Sequence, residues 1–230
     1  MTHSKRYNNN FKKVDRDKSY SIEEAAEILS GFENSKFDES VDLAINLGVD
    51  PKHADQLVRG TVALPNGVGK DVKVLVLCPA DKDQEALDAG ADYVGLDEYI
   101  AKIKGGWTDV DVIITTPQVM GKVGALGRVL GPRGLMPNPK VGTVTVDVTD
   151  AVKAAKGGEV QFRAEKGGVV HAGIGKASFD ESQLVENVKA FIDAVAKARP
   201  TGSKGSYMKG ITLSSTMGPG VTLSVEKSAG

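Results

Sequence analysis

The chain has one cysteine, Cys78, among 230 residues, so no internal disulfide can form. That fits a reducing cytoplasm. Cys78 lies within an apolar run, and a buried core thiol is expected there rather than a nucleophile. Aromatic residues make up only 5% of the chain. With 27 glycines in their place, loops and close backbone approaches should matter more than large aromatic cores. No apolar run approaches the ~20 residues of a bilayer-spanning helix. The polar, basic stretch Met1 to Lys18 has no apolar segment behind it and is not expected to be a secretory signal. The histidines, His3, His53 and His171, are scattered, with no cysteine pair or acidic cluster beside them, so no metal and no cofactor are expected. The G-x-S-x-G nucleophile elbow is missing, and no Ser/His/Asp arrangement can be argued from spacing.

An excess of positive charge is also lacking. The net charge is −1, which speaks against a strongly basic nucleic-acid binder. The distribution softens this. Met1 to Tyr20 carries six Lys/Arg against two Asp. Val112 to Val146 has no acid but holds Lys122, Arg128, Arg133 and Lys140. Ala194 to Val225 again has no acid and holds Lys197, Arg199, Lys204 and Lys209. Basic patches bind phosphate even on a chain that is neutral as a whole.

What is present reads as two kinds of periodicity. Residues 1–18 look like a flexible basic arm. Ser21 to Glu24 is a capping box, predicting a helix through about Leu29 that Gly31 stops. Phe37, Glu39, Val41, Leu43, Ile45 and Leu47 alternate as one side of a half-buried antiparallel strand, apolar apart from Glu39. Gln56 to Leu64 is a weaker strand, ended by Pro65-Asn66-Gly67. After Gly67 the pattern changes. Val72 to Cys78 is nearly continuous apolar, as in a parallel strand covered on both faces. A helix over Asp81–Ala89, a short strand at Tyr93, a helix over Leu96–Lys104 and a strand over Val110–Thr115 follow. This is a β-α-β-α-β rhythm. A Gly/Pro-rich stretch, Gly121 to Gly142, precedes a helix near Val148–Lys156. Alternation then returns at Val160, Phe162 and Ala164, and at Val169 to Ile174. A long amphipathic helix over Asp180–Lys197 and strands over Tyr207–Ser215 and Val221–Val225 complete the chain.

The expected fold class is therefore α/β with two domains. Residues 1–67 and 159–230 would form a discontinuous α+β domain, an antiparallel sheet with helices. Residues 68–158 would be an inserted Rossmann-like parallel α/β domain. Glycines at the crossings, Gly67-Val68-Gly69 and Gly157-Gly158, would permit hinge motion.

Several motifs carry two readings each. Gly67-Val68-Gly69-Lys70-Asp71 lacks the spacing and the Ser/Thr of a phosphate loop and reads as a linker. Gly127 to Lys140 is either a structured loop sealing the sheet edge or a backbone-rich phosphate platform with two Arg. Phe37 either begins a core strand or stacks on a base, with Lys36 at a phosphate. His171 is either a plain strand residue or an RNA contact, with Arg163, Lys166 and Lys176 nearby. The turn Ser214 to Gly220 is either an ordinary tight hairpin or a tip offering hydroxyls and bare amides to phosphates and 2′-hydroxyls. There an exposed Met217 would pack on a base or ribose.

At Gly127 to Val144 the chain resembles the signature segment of the L-one family of large-subunit ribosomal proteins. Phe37 to Val41, Arg59 to Pro65, Phe162-Arg163, His171, Ile174 to Lys176 and Ser214 to Gly220 match the same family in order. The resemblance covers nearly the whole chain, and the length suits a bacterial member. It implies a two-domain fold with an inserted α/β domain, no catalysis, and a place on the cytoplasmic ribosome. The implied partners are ribosomal RNA of the mobile stalk, exit-site tRNA whose release the family aids, and the protein's own messenger RNA, whose translation bacterial members repress. No membrane is implied, and the free protein would be a monomer. RNA-binding residues carried over by the resemblance are Lys36, Phe37 and Ser40, with Ser214, Thr216, Met217 and Gly218. Arg163, Lys166, His171, Lys176 and Ser178 are carried over as a basic flank. The other function classes left open are an enzyme binding a small phosphorylated ligand in the central domain and a protein-interaction module.

Overall fold

The structure, a computed structural model, describes residues 4–203 and 205–224. His3, Lys204, Val225 and the Ser228-Ala229-Gly230 tail lie outside them. The chain divides into two compact units, Met1–Gly69 with Val160–Gly230, and Lys70–Glu159.

The residues expected to form a flexible arm instead begin with a helix, α1 (Lys5–Phe11), capped by Ser4, whose hydroxyl accepts the Tyr7 amide at 3.2 Å. It has almost no apolar face, which is why periodicity missed it. Polar side chains dock it. Asn10 is buried, accepts the Glu33 amide at 2.8 Å and donates to the Glu33 carbonyl at 3.2 Å. Helix α2 (Ile22–Ser30) has the expected capping box and ends at Gly31. Strand β1 (Ser40–Leu47) starts three residues later than Phe37, and buries Val41, Leu43, Ile45 and Leu47. Strand β2 (Arg59–Ala63) is preceded by a 3-10 turn at Ala54–Gln56 rather than by more strand.

The second unit holds β3 (Val74–Leu77), α3 (Asp83–Asp88), β4 (Tyr93–Val94), α4 (Asp97–Lys104) and β5 (Val112–Thr115), in a parallel sheet ordered β4-β3-β5. Every residue of β3 is buried because both sheet faces are covered. Val74 and Val76 pack with Ala86, Val148 and Val152 on one face. Leu75 and Leu77 pack with Ile100, Ile103, Val123, Leu126 and Leu130 on the other. The last three correct the expectation of a loop over the Gly/Pro-rich stretch. It folds into two short helices, α5 (Met120–Gly124) and α6 (Gly127–Leu130). Their apolar residues recur at helical spacing, and burial outweighs the poor helix propensity of the intervening glycines. Helix α7 (Val148–Lys156) closes the first face.

The first unit resumes with β6 (Glu159–Arg163), β7 (Val169–Lys176), α8 (Glu181–Lys197), β8 (Met208–Ser215) and β9 (Val221–Leu223). β1 lies inside an antiparallel sheet ordered β7-β1-β8-β9, while β2 and β6 form a separate pair. Leu43 faces Ala172 on one side and Leu213 on the other. The inward side chains share one core with Ala25 and Leu29 of α2 and Leu184, Val188 and Phe191 of α8. The other sheet face is open, with Asp42, Asn46, His171 and Thr222 exposed on it. At Gly60 a side chain would meet the Phe162 ring at 2.8 Å, so the glycine lets β2 sit against an aromatic that in turn packs edge-on to Phe191.

Candidate nucleic-acid interface

Antiparallel pairing brings the start of β1 beside the end of β8, because Val41 faces Ser215. Beyond that register the two segments are stitched together. Thr216 donates its amide to the Ser40 carbonyl at 2.9 Å. Its hydroxyl accepts the Ser40 amide at 3.0 Å and donates to the Ser40 carbonyl at 3.1 Å. On the opposite flank Ser40 faces Lys176 of β7, whose ammonium donates to the Ser40 hydroxyl at 3.1 Å. Ser178 donates its amide and its hydroxyl to the Asp38 carboxylate at 3.2 and 3.0 Å. One ridge thus contains Lys36, Phe37, Ser40, Lys176, Ser178, Ser214, Thr216, Met217 and Gly218.

Two apolar side chains project from this ridge. Phe37 is 54% exposed and Met217 is 50% exposed. Phe37 does not begin a core strand, because the chain bends before β1 and turns Glu39, rather than Phe37, inward. Few large side chains elsewhere among the described residues are left so open, and burying the exposed half of each would recover about 1 kcal/mol. Lys36 is exposed beside Phe37.

The hydroxyls are arranged differently from the expected outward display. Those of Ser40, Thr216 and Ser178 are engaged within the ridge and give it shape. Gly218 is small for an internal reason, since a Cβ there would run into the Ser215 hydroxyl and meet the Phe32 ring at 3.1 Å. Ser214 lies on the open sheet face opposite Asp42. Although Asp42 is exposed, partial desolvation among its strand neighbours pushes its carboxyl above the ordinary value, against the pull of His171 and Lys176.

The remaining basic residues gather at the other end of β7. Arg163, Lys166 and His171 line a depression of about 1010 Å³ together with Lys52, Pro51 and Leu57. His171 lies opposite Ala44, five residues before Lys176. That spacing puts roughly 16 Å of strand between the two clusters. The twelve candidate residues therefore form two groups on one unit, a ridge and a depression.

Residues that sequence reasoning passed over underlie the ridge. Glu39 is 2% exposed. It accepts the Ser35 and Met217 amides, each at 3.0 Å. Burial raises its pKa, yet the Met217 amide, the Ser35 and Ser215 side chains and the Ser35 amide outweigh that and hold it below the usual glutamate value. The signal was available as a lone carboxylate in the inward register of an apolar strand.

The inserted unit offers less. Lys70 of the discarded phosphate-loop reading is paired with Asp111 at 2.6 Å. Burial and the neighbouring Asp83 push the Cys78 thiol up to about 12. Arg128 and Arg133 are exposed on α6 and the turn after it. Among the described residues no group of acidic, His and Cys side chains could hold a metal ion, and no helix is long and apolar enough to cross a membrane.

Comparison with known proteins agrees with the sequence resemblance. A match to the Ribosomal protein L1p/L10e family spans residues 29–219. The large ribosomal subunit protein uL1 of Flavobacterium johnsoniae is 59% identical over 211 residues, covering 92% of each chain. Proteins of the same name from Phocaeicola vulgatus and Bacteroides thetaiotaomicron are each 58% identical, covering 92% of this chain and 91% of theirs. With identity at this level across almost all of both units, the chain belongs to the Ribosomal protein L1p/L10e family and is a ribosomal protein, not an enzyme.

Proposed function

We propose that this large-subunit ribosomal protein, at work on the cytoplasmic ribosome, binds a folded segment of ribosomal RNA through its discontinuous domain, residues 1–67 and 159–230. Residues 68–158 form the inserted domain. Lys36, Phe37, Ser40, Ser214, Thr216, Met217 and Gly218 are the principal contacts, with Lys176 and Ser178 on the flank. Arg163, Lys166 and His171 supply phosphate attraction at the second cluster. The free protein is a monomer. On the ribosome it aids release of deacylated exit-site tRNA, and off the ribosome the same face takes a similar fold in its own messenger RNA and represses translation.

The observation that supports this reading is the mutual bonding of Ser40 and Thr216, which makes residues 36–40 and 214–218 a single surface. A firm, shaped ridge with two projecting apolar groups suits RNA, whose folded stems are recognised by shape, ribose and stacked bases more than by sequence. The exposed Lys36, Arg163 and Lys166 account for attraction despite a net charge of −1.

The test is footprinting of purified large-subunit RNA with and without the protein, followed by competition with the leader of its messenger RNA. A discrete protected stem region that the leader displaces is expected. Unprotected RNA at every protein concentration, or protection untouched by Phe37→Ala with Met217→Ala, would refute the reading.

A further inference from the structure

A buried carboxylate beneath a ridge proposed to meet RNA calls for an explanation. Its charge opposes RNA, and removing it from water is costly. Glu39 nevertheless sits there, and its contacts reach every segment of the ridge. One oxygen accepts the Ser35 amide and the other the Met217 amide, each at 3.0 Å. Its backbone carbonyl accepts the Ala177 amide at 2.7 Å. The Arg6 guanidinium of α1 lies 3.8 Å from the carboxylate. Asn10, about one turn further along the same helix, clamps the Glu33 backbone at 2.8 and 3.2 Å.

The consequence is a loop held at both ends. Ser35 is fixed by Glu39, and Asp38 is fixed by Ser178 at 3.2 and 3.0 Å. Lys36 and Phe37 lie between these two anchors. The Met217 backbone is fixed by the same carboxylate, so its exposed side chain is held beside theirs. Fixing such groups before binding removes an ordering cost that association would otherwise carry.

We propose that Glu39, backed by α1 through Arg6 and Asn10, is a positioning residue that holds the Lys36–Phe37 loop and the Met217 turn in one RNA-ready arrangement. This rests on the RNA-binding function proposed above. Glu39 itself touches no RNA.

The experiment compares the full-length protein with Glu39→Gln and Asn10→Ala in filter binding to large-subunit RNA across a salt series, with amide exchange and thermal melting alongside. Glutamine keeps the volume but turns one acceptor into a donor facing an N–H. Glu39→Gln is expected to bind roughly tenfold more weakly. The slope of log affinity against log salt should fall by at most about 1, because Lys36 is the single phosphate contact that the released loop carries. The Ser35 and Met217 amides should exchange faster. Asn10→Ala should weaken binding about threefold, with the same limit on the change in slope. A purely structural role would lower the melting point and leave the affinity of the folded protein intact, and that result overturns the proposal. Equal or tighter binding by Glu39→Gln overturns it as well. Should that variant fail to fold, wild-type affinity in Asn10→Ala overturns it and weaker binding supports it. If the unaltered protein does not bind the RNA, the functional reading itself fails, and this inference with it.

Discussion

The Thr216 hydroxyl lies against both backbone polar groups of Ser40, 3.0 Å from its amide nitrogen and 3.1 Å from its carbonyl oxygen. The two residues are 176 positions apart. This contact joins the beginning of one strand to the turn after another, and it makes the hydroxyl a structural element of the ridge rather than a group displayed to solvent. Thr216→Val keeps the shape and removes the bonds. Because the site is exposed, the fold should lose only about 1 kcal/mol. RNA affinity should fall much further, while Thr216→Ser should behave like the unaltered protein. Filter binding of the three proteins decides the matter, and equal affinities for Val and Ser would sink the idea.

Gly218→Ala tests the packing under the same turn. The added methyl meets the Phe32 ring at 3.1 Å and forces the Ser215 side chain away from Glu39. Overpacking of this kind costs about 1–3 kcal/mol. Thermal melting should show the loss, and RNA affinity should drop with it. A variant as stable and as tight-binding as the parent would show that the turn yields freely.

The fold was legible where burial follows a single period. β1 shows its buried side in the alternation of Val41, Leu43, Ile45 and Leu47, and β3 shows two-sided burial in an unbroken apolar run. α2 announces itself by its capping box, and α7 and α8 by their apolar faces. α1 was illegible because the Asn10 side-chain amide on the Glu33 backbone holds it, not an apolar stripe. α5 and α6 were obscured because glycine richness was given more weight than the spacing of Val123, Leu126 and Leu130. At the ridge, Met217 stood out as an apolar residue in a polar turn, whereas the alternation drew Phe37 into the strand and only the family resemblance marked it as a contact. That the hydroxyls between them bond to one another depends on strand register across long separations, which local pattern does not encode.

Asn187 gives a stability prediction away from the ridge. It is wholly buried on α8. Its oxygen accepts the Asn66 amide at 3.1 Å, and its nitrogen donates to the Gly67 and Ile174 carbonyls at 2.9 and 2.8 Å. Asn187→Leu keeps the branched shape, though with bulkier methyls, and strands three backbone groups. A loss of about 3 kcal/mol or more is expected. In urea unfolding the midpoint should fall while the slope is retained. An unchanged midpoint would mean that water or local rearrangement satisfies those groups.

Cys78 should be inert in the native protein. Burial is the first cause of the rise in its thiol pKa to about 12, and the hydrogen bond and charge of Asp83 add to it. At pH 8 almost no thiolate exists to attack a reagent. Labelling with a chromogenic disulfide should be negligible without denaturant and complete in strong guanidinium. Rapid labelling of the native protein would contradict the placement of Cys78 in the sheet core.

Acid sensitivity of the inserted unit should trace partly to Asp92. Burial pushes its carboxyl upward, but the bond from Lys156 at 2.7 Å and the Val74 amide at 2.8 Å outweigh that, and its pKa is lowered. A carboxyl with a folded pKa below its unfolded value binds fewer protons in the folded state. Its contribution is therefore complete above the unfolded value, near pH 4, and is lost as the pH falls through the lower folded value. The Asp92 side chain is 36% exposed, so solvent screening leaves about 0.5–1 kcal/mol at neutral pH. Asp92→Asn should be less stable than the parent by that amount at pH 7. The gap should close as the pH drops below 4, because protonation then discharges the parent residue too. Melting curves at pH 7, 4 and 3 provide the check, and a gap of constant size across that range would show that the lost stability comes from packing or geometry and not from the ionised pair.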